Sequence, residues 1–215
     1  ASSTVETIDV EKHTFVIPKK EIFNPEDIEK KWQISEGYKD IIGFMEAMNT
    51  GVHKTKITDE YFISENCESL LSTALDKKFH PAIKEISVYL VESVGNSTRI
   101  DYGTGHEMSF VAFLCCLFKI GVFTKRDTAA VVLKLFSRYL QLMRKLQLVY
   151  RMEPAGSHGV WSLDDYCFLP FYWGSSQLID HPRISPKSIP NVEICQLFAK
   201  DYMFLNAVNF IHKVK

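Results

Sequence analysis

Apolar residues recur every three or four positions along most of the chain, which is the period of an amphipathic helix. One such stretch begins at Asn24-Pro25, a typical helix start, and ends near Gly51. The same period predicts further helices over residues 58–75, 81–95, 104–121, 124–151 and 191–215. An aromatic helix is expected after Ser162, and Pro170 is expected to kink or divide it.

The absence of a strand pattern determines the predicted fold class. No stretch shows the alternation of apolar and polar residues that is typical of a half-buried strand. We therefore predict an all-α fold of roughly six to eight helices. Residues 1–23 are predicted to form an irregular arm, because Pro18 favours an extended residue before it. Residues 24–215 are predicted to form a single domain.

Polar residues concentrate in two glycine-containing loops, at residues 96–107 and 153–165. Each loop leads into a predicted helix N-terminus, where unpaired N–H groups and the helix dipole favour an anion. Thr104 is the predicted N-cap of the first helix, with Glu107 completing a capping box. Asp164 and Asp165 are expected in a capping segment of the second.

The side chains of these loops suit a magnesium nucleotide, provided that the loops meet in space. Arg99 is a candidate phosphate ligand. Asp101, Asp164 and Asp165 supply the hard oxygen atoms that Mg²⁺ prefers, and Mg²⁺ needs few protein ligands when phosphates supply the others.

Plainer interpretations stay open for the same residues. Thr104 and Glu107 are equally well explained as a helix cap alone, and the two aspartates as first-turn charges. Ser157-His158 suggests a serine hydrolase, but the chain has no G-x-S-x-G elbow. The aromatic residues around 161–173 are typical of a core, or of a groove for a proline-containing peptide.

Composition and charge exclude several classes of protein. Of 215 residues, 46% are hydrophobic and 24% charged, which excludes a disordered chain. The formal net charge of −1 gives no reason to expect a nucleic-acid or membrane-surface partner. The longest apolar stretch, residues 108–120, is too short to span a bilayer. Five cysteines without a C-x-x-C pair indicate a reducing, intracellular compartment.

Both loops carry long sequence motifs that resemble those of the phosphotyrosyl phosphatase activator family. The run GNSTRIDYGTGHE at residues 95–107 resembles one family signature, and YRMEPAGSHGVW at 150–161, followed by LDD at 163–165, resembles a second. The shorter runs IPKK at 17–20, FLPF at 168–171, WGSSQL at 173–178 and KDYMF at 200–204 also fit. The resemblance covers nearly all of the chain.

The resemblance implies an all-α fold in which a core, a linker and a lid surround a deep cleft. It implies an activator that binds the catalytic subunit of protein phosphatase 2A and uses ATP and Mg²⁺ to restore its serine/threonine phosphatase activity. It also implies peptidyl-prolyl cis/trans isomerisation, a reaction that needs no nucleophile. Further implied partners are a proline-containing peptide and a homodimer induced by it. Cytoplasmic and nuclear localisation follow as expectations.

The resemblance also implies roles for individual positions. Nucleotide contacts are expected at Arg99, Thr104 and Gly159, and metal contacts at Gly159 and Asp165. Phosphatase contacts are expected at Gly156, Val160, Trp161 and Asp164.

Two further assignments follow from the chemistry of the loops rather than from the motifs. We predict Asp101, together with Asp164, as the carboxylates that act in catalysis. Glu107 is predicted to contribute to the cofactor site.

The chain departs from the family pattern at three places. Ser162 stands where the family usually has glycine, and an inserted segment is expected to be absent near residues 76–78. The sequence stops at Lys215, so we also expect it to lack the C-terminal segment that completes the family's nucleotide pocket. A helical adaptor without a nucleotide site is therefore the alternative function.

Overall fold

The structure is a computed structural model that describes residues 7–51, 75–156 and 163–214. Its helices are α1 Pro25–Asp27, α2 Glu36–Gly51, α3 Ile83–Glu92, α4 Thr104–Lys119, α5 Thr128–Ala130, α6 Ser137–Tyr150, α7 Leu169–Gln177, α8 Val192–Phe198 and α9 Met203–Val214. π-Helical turns extend α1 (Ile28–Trp32) and α5 (Val131–Phe136), and 3₁₀ turns form at Lys77–Ala82, Lys125–Asp127 and Pro186–Ser188. Strands β1 Asp101–Tyr102 and β2 Glu153–Pro154 form a short parallel pair. The all-α prediction is confirmed.

Two predicted helices are divided in the structure. The stretch over residues 24–51 breaks at Ser35, whose hydroxyl donates to the Trp32 carbonyl at 2.7 Å and accepts the Tyr38 N–H at 3.1 Å. Ser35 thereby caps α2. The stretch over residues 191–215 forms α8 and α9, and the Asn206 side chain donates to the Ala199 carbonyl at 3.0 Å between them. The helix predicted over residues 58–75 lies almost wholly outside the described residues.

The predicted kink at Pro170 is wrong. Pro170 is the second residue of α7, where a missing N–H leaves no intrahelical hydrogen bond unmade. The proline therefore begins the helix instead of bending it. Asp164 and Asp165 consequently precede α7 and do not lie in its first turn.

Among the described residues, 7–47, 75–94 and 108–125 form one compact unit. Its core includes an edge-to-face contact of Phe44 and Phe118, with ring centroids 5.4 Å apart. The Lys119 ammonium pairs with the Asp40 carboxylate at 2.6 Å. The Lys119 carbonyl also accepts the Ile8 N–H at 2.9 Å, so a backbone hydrogen bond fixes the arm that precedes α1.

A second unit comprises residues 48–51, 95–107, 126–156 and 163–214 of the described chain. Trp173 of α7 is fully buried and meets Phe136 edge-to-face at 4.8 Å. Helix α7 packs closely on α9, because a Cβ at Gly174 would overlap the backbone nitrogen of Phe204 and lie 2.8 Å from its Cα. The Gln177 side chain accepts the Met203 N–H at 2.9 Å and so caps the start of α9.

Within the described ranges, no helix is long and apolar enough to cross a membrane.

We predict that Gly174→Ala lowers the free energy of unfolding by about 1–3 kcal/mol, because the added methyl group forces α7 away from α9. Urea denaturation measures this change. Gly105→Ala is the matched control, since a Cβ at Gly105 meets nothing within 4 Å. The control should leave stability unchanged or raise it by up to about 1 kcal/mol. Equal effects of the two substitutions would contradict the close packing of α7 on α9.

Candidate functional site

The two polar loops lie side by side. The predicted nucleotide site requires this contact, which the sequence alone did not establish. Strand β1 pairs with β2 in parallel, with Asp101 opposite Glu153. The Glu153 N–H donates to the Ile100 carbonyl, and the Ala155 N–H to the Tyr102 carbonyl, both at 2.8 Å. The first loop is thus hydrogen-bonded to the second just before helix α4 begins.

Glycine is required at two positions where the loops touch. A Cβ at Gly103 would overlap the carbonyl oxygen of Ala155. Gly95 has φ +96°, and a Cβ there would lie 2.6 Å from Met152 Cε and 2.7 Å from the Asp101 carbonyl oxygen. A larger residue at Gly103 would push the two loops apart, whereas one at Gly95 would strain its positive φ and displace the Asp101 carbonyl.

The N-terminus of α4 is capped differently from the prediction. The Gly103 carbonyl accepts the N–H groups of His106 at 2.9 Å and Glu107 at 3.2 Å, so Gly103 is the N-cap. His106 Nδ1 accepts the Gly103 N–H in return at 3.2 Å. Thr104 is the first helical residue and is exposed. The predicted capping box of Thr104 and Glu107 is therefore wrong, because His106 performs the reciprocal role.

Glu107 instead caps α7, the helix that follows the second loop. Its carboxylate accepts the Phe168 N–H at 2.8 Å and the Leu169 N–H at 3.2 Å. These N–H groups belong to the first turn of α7 and have no partner within that helix. Glu107 is only 2% exposed. A buried carboxyl group on α4 thereby fixes the start of a helix 61 residues further along the chain.

Burial dominates the electrostatics of this carboxyl group. Desolvation raises the pKa of Glu107 to about 8, against the opposing effect of the Phe168 and Leu169 N–H groups. The charge of Asp164 raises the pKa further. Burial also raises the pKa of the Cys167 thiol well above its usual value, so this thiol stays protonated and hydrogen-bonds to Glu107.

The buried polar groups next to Glu107 form a connected set. The Cys167 thiol also contacts the Tyr102 side chain, and the Tyr102 hydroxyl lies 2.8 Å from that of Tyr139. Tyr102 is fully buried, and burial raises its pKa well above the ordinary range. We call Glu107, Cys167, Tyr102 and Tyr139 the Glu107 cluster.

The two aspartates lie in the turn that leads into α7. Asp164 Oδ1 accepts the Tyr166 N–H at 2.8 Å, so this carboxylate stabilises its own turn. Burial raises the pKa of Asp164, and the neighbouring charge of Asp165 adds to the increase. The Tyr166 hydroxyl donates to the Met152 carbonyl at 2.7 Å and holds the turn against the residue before β2.

Arg99 is held in place by Asp101. The Arg99 Nε donates to Asp101 Oδ2 at 2.6 Å and its Nη2 to Oδ1 at 3.2 Å, a two-point contact that orients the guanidinium. The Arg99 side chain remains 60% exposed, whereas that of Asp101 is 14% exposed. Asn96 Oδ1 accepts the Arg99 N–H at 2.8 Å and stabilises the loop. Asp101 is thus placed to orient Arg99, and its catalytic role stays a prediction.

The donor set suits a metal ion that arrives with phosphate ligands. Within the described ranges, no group of three or more His, Cys, Asp or Glu side chains could hold a metal ion alone. Asp165, the predicted metal ligand, stands next to Asp164, whose Oδ1 accepts the Tyr166 N–H. One or two carboxylates plus phosphate oxygens are the usual protein environment of nucleotide-bound Mg²⁺. The residues present therefore fit Mg²⁺ together with a nucleotide.

Several predicted positions stay untested. Gly159, Val160 and Trp161 lie outside the described residues. Gly156 is exposed at the end of β2, with φ +76° and open space where a Cβ would point. The phosphatase-contacting role assigned to Gly156 and Asp164 remains a prediction.

Sequence reasoning missed the partners of Glu107. No spacing rule links Cys167 or Tyr102 to Glu107 or to each other, so the sequence contains no signal that groups them. Arg144 carried a usable signal: it lies four residues after Leu140 and three before Gln147, on the buried stripe of α6. A cation on a buried stripe indicates nearby polar groups, and the charge of Asp164 does act on Arg144.

This fold is shared with a class of phosphatase activators. The crystal structure of the PP2A phosphatase activator Ypa1 (PTPA1) matches 99% of this chain and 81% of that chain, with a TM-score of 0.71 and 26% sequence identity. The all-α architecture described above is therefore the architecture of a known activator.

Sequence relatives place the chain in one family. A serine/threonine-protein phosphatase 2A activator 2 of Candida albicans is 39% identical over 241 residues, which cover 94% of this chain and 67% of the relative. A serine/threonine-protein phosphatase 2A activator of Drosophila melanogaster is 38% identical over 86% of this chain and 57% of the relative. Residues 62–215 match the model of the phosphotyrosyl phosphate activator (PTPA) protein family. The chain belongs to the PTPA family.

We predict that Glu107→Gln changes how stability depends on pH. The pKa of Glu107 is about 8 in the folded state, against 4.5 as the ordinary value. The unfolded chain therefore releases this proton first, and the contribution of Glu107 to stability falls as the pH rises between these values. The slope is about 1.4 kcal/mol per pH unit. The glutamine side chain of the variant does not titrate, so the variant should lose this slope in urea titrations from about pH 5 to 8.

The exposed Glu193→Gln is the control for that experiment. Its pH profile should run parallel to that of the unmodified protein. A Glu107→Gln profile that also runs parallel would show that Glu107 is not a buried, neutral acid near neutral pH.

Proposed function

We propose that this chain is an activator of protein phosphatase 2A that binds the phosphatase catalytic subunit together with a magnesium nucleotide. Membership of the PTPA family and the names of its relatives support the partner. One structural observation supports nucleotide binding. It is the pairing of β1 with β2, which joins the Arg99 loop to the loop that ends in Asp164 and Asp165. An adaptor without a ligand would not need this concentration of charged groups.

Each described residue then has a definite task. Asp101 holds the guanidinium of Arg99, whose exposed face receives phosphate oxygens. Thr104 and Gly105, both exposed in the first turn of α4, offer a helix N-terminus to the same anion. Asp165 supplies a carboxylate oxygen to Mg²⁺, and Glu107 fixes the turn that carries it. When bound, Mg²⁺ neutralises phosphate charge and ATP supplies the phosphoanhydride.

Peptidyl-prolyl isomerisation is the second proposed activity, and an exposed aromatic pair favours it. Phe168 is 54% exposed at the start of α7, and its ring stacks on Tyr172 with centroids 6.1 Å apart. Leu163, before the aspartate turn, is 65% exposed. Such a surface would seat a proline ring away from water. Rotation about the peptide bond needs only desolvation and twisting, because its barrier is ~18–20 kcal/mol and no covalent bond breaks.

We predict that Asp165→Asn weakens Mg-ATP binding by about tenfold or more, because the variant loses the proposed metal ligand. Calorimetric titration of this chain with Mg-ATP measures the effect. Glu193→Gln on α8 is the control and should bind like the unmodified chain. If Asp165→Asn binds Mg-ATP as tightly as the unmodified chain, the metal ligand is a residue other than Asp165. If the unmodified chain fails to bind, the adaptor alternative is favoured.

We predict that Arg99→Gln reduces activation of the isolated phosphatase catalytic subunit in the presence of Mg-ATP, because the phosphate loses its oriented cation. Initial rates of serine/threonine phosphopeptide hydrolysis measure activation. Isomerisation of a proline peptide, measured without phosphatase or ATP, should persist in the same variant. Loss of both activities would indicate one shared site, and retention of both would remove Arg99 from the nucleotide site.

A further inference from the structure

A basic groove lies in the second unit, apart from both polar loops. It has a volume of about 350 Å³ and is lined by the π-helical turn at Val131–Phe136, by α6, and by residues from Ala199 to Asn206. Among the residues that the structure describes, none that lines the groove belongs to the loops at 96–107 or 153–165. The groove therefore has its own lining residues, although Arg144 at one end lies within reach of the charge of Asp164.

The lining of the groove carries charge of one sign. Four basic side chains line it, those of Lys134, Arg138, Arg144 and Lys200, and the described residues of the lining include no Asp or Glu. Ser137 and Asn206 add polar groups. In a chain whose formal net charge is −1, such a segregation of cations produces a local positive potential.

The arrangement follows from the spacing of residues on one helix face. Lys134, Arg138, Gln141 and Arg144 recur every three or four residues, so they form one stripe that lines the groove, and Ser137 lies beside it. Cations that share a helix face repel one another at a cost of a few tenths of a kcal/mol per pair. An anion in the groove would turn that repulsion into attraction.

Arg144 forms the fixed end of the groove. Its Nη1 donates to Asn206 Oδ1 at 2.6 Å, and its guanidinium lies 4.4 Å from the centroid of the Phe210 ring. Its Nη2 is buried and has no hydrogen-bond partner in the part of the chain that the structure describes. Burial lowers the pKa of Arg144, and the charge of Asp164 only partly offsets this. Neutral groups thus hold a cation that lacks full charge compensation.

We propose that this groove binds a small, multiply charged phosphate compound without a metal ion. Arginine and lysine side chains are the usual ligands of phosphate oxygens, and hydroxyl and amide groups complete their hydrogen bonding. Within the described ranges, the lining offers no carboxylate to a metal. A volume of about 350 Å³ lies at the lower end of ligand sites, which suits a compound the size of pyrophosphate.

Titration with inorganic pyrophosphate in EDTA, followed by calorimetry, tests the proposal. The double variant Arg138→Gln/Lys200→Gln removes two exposed groove cations and should weaken binding by about tenfold or more. Lys145→Gln removes an exposed cation from the same helix outside the groove and should leave binding within about twofold. Absence of binding by the unmodified chain, or an equal loss in both variants, would overturn the proposal.

Two further arms complete the experiment. A phosphoserine peptide should bind more weakly than pyrophosphate, and a peptide that binds about tenfold more tightly would make the occupant a protein segment and overturn the proposal. Mg-ATP binding, measured with excess Mg²⁺, should survive in the double variant. Loss of Mg-ATP binding in the double variant would show that the groove and the nucleotide site are one site, and would overturn the claim of a separate site.

Discussion

The candidate site depends on one buried carboxyl group. Glu107 projects from the first turns of α4 and accepts the N–H groups of Phe168 and Leu169, which begin α7. A helix N-terminus buried without such a partner is unfavourable, because its N–H groups have no acceptor within the helix. The start of α7 is therefore determined by a residue from a distant part of the sequence. The aspartate turn immediately before α7 takes its position from the same contact.

The other features of the site follow from this arrangement. The pairing of β1 with β2 and the glycines at 95 and 103 bring the loop backbones together, while Glu107 anchors the turn beyond them. Burial keeps the Cys167 thiol protonated and raises the pKa of the Glu107 carboxyl group. Charge is consequently concentrated at the loop surface, where Arg99 and Asp165 are placed. The hydrogen bonds of the Glu107 cluster stabilise the contact between α4 and the start of α7.

Rules of apolar periodicity and helix capping predicted the helices and the two loops. They failed where a residue distant in sequence makes the hydrogen bond that a local residue was expected to make. The apolar period of residues 104–121 correctly predicted α4, and the polar loops were identified by their glycines and charges. The spacing of Thr104 and Glu107 also matched a capping box, yet His106 performs that role and Glu107 bonds to α7. Pro170 was expected to bend a helix that in fact begins beside it. The contacts of Cys167 and Tyr102 depend on tertiary packing, which single-sequence periodicity does not report.

Amide hydrogen exchange resolved by NMR tests the central claim, that Glu107 caps α7. In the native protein, the Phe168 and Leu169 amides should exchange slowly although they precede the first intrahelical hydrogen bond of α7. Glu107→Ala should accelerate both. The Ile194 amide provides an internal control, because its N–H donates to Asn191 Oδ1 at 3.1 Å at the start of α8. Its exchange rate should not change in Glu107→Ala. Rapid exchange of Phe168 and Leu169 in the unmodified protein, or rates unaffected by Glu107→Ala, would contradict the account.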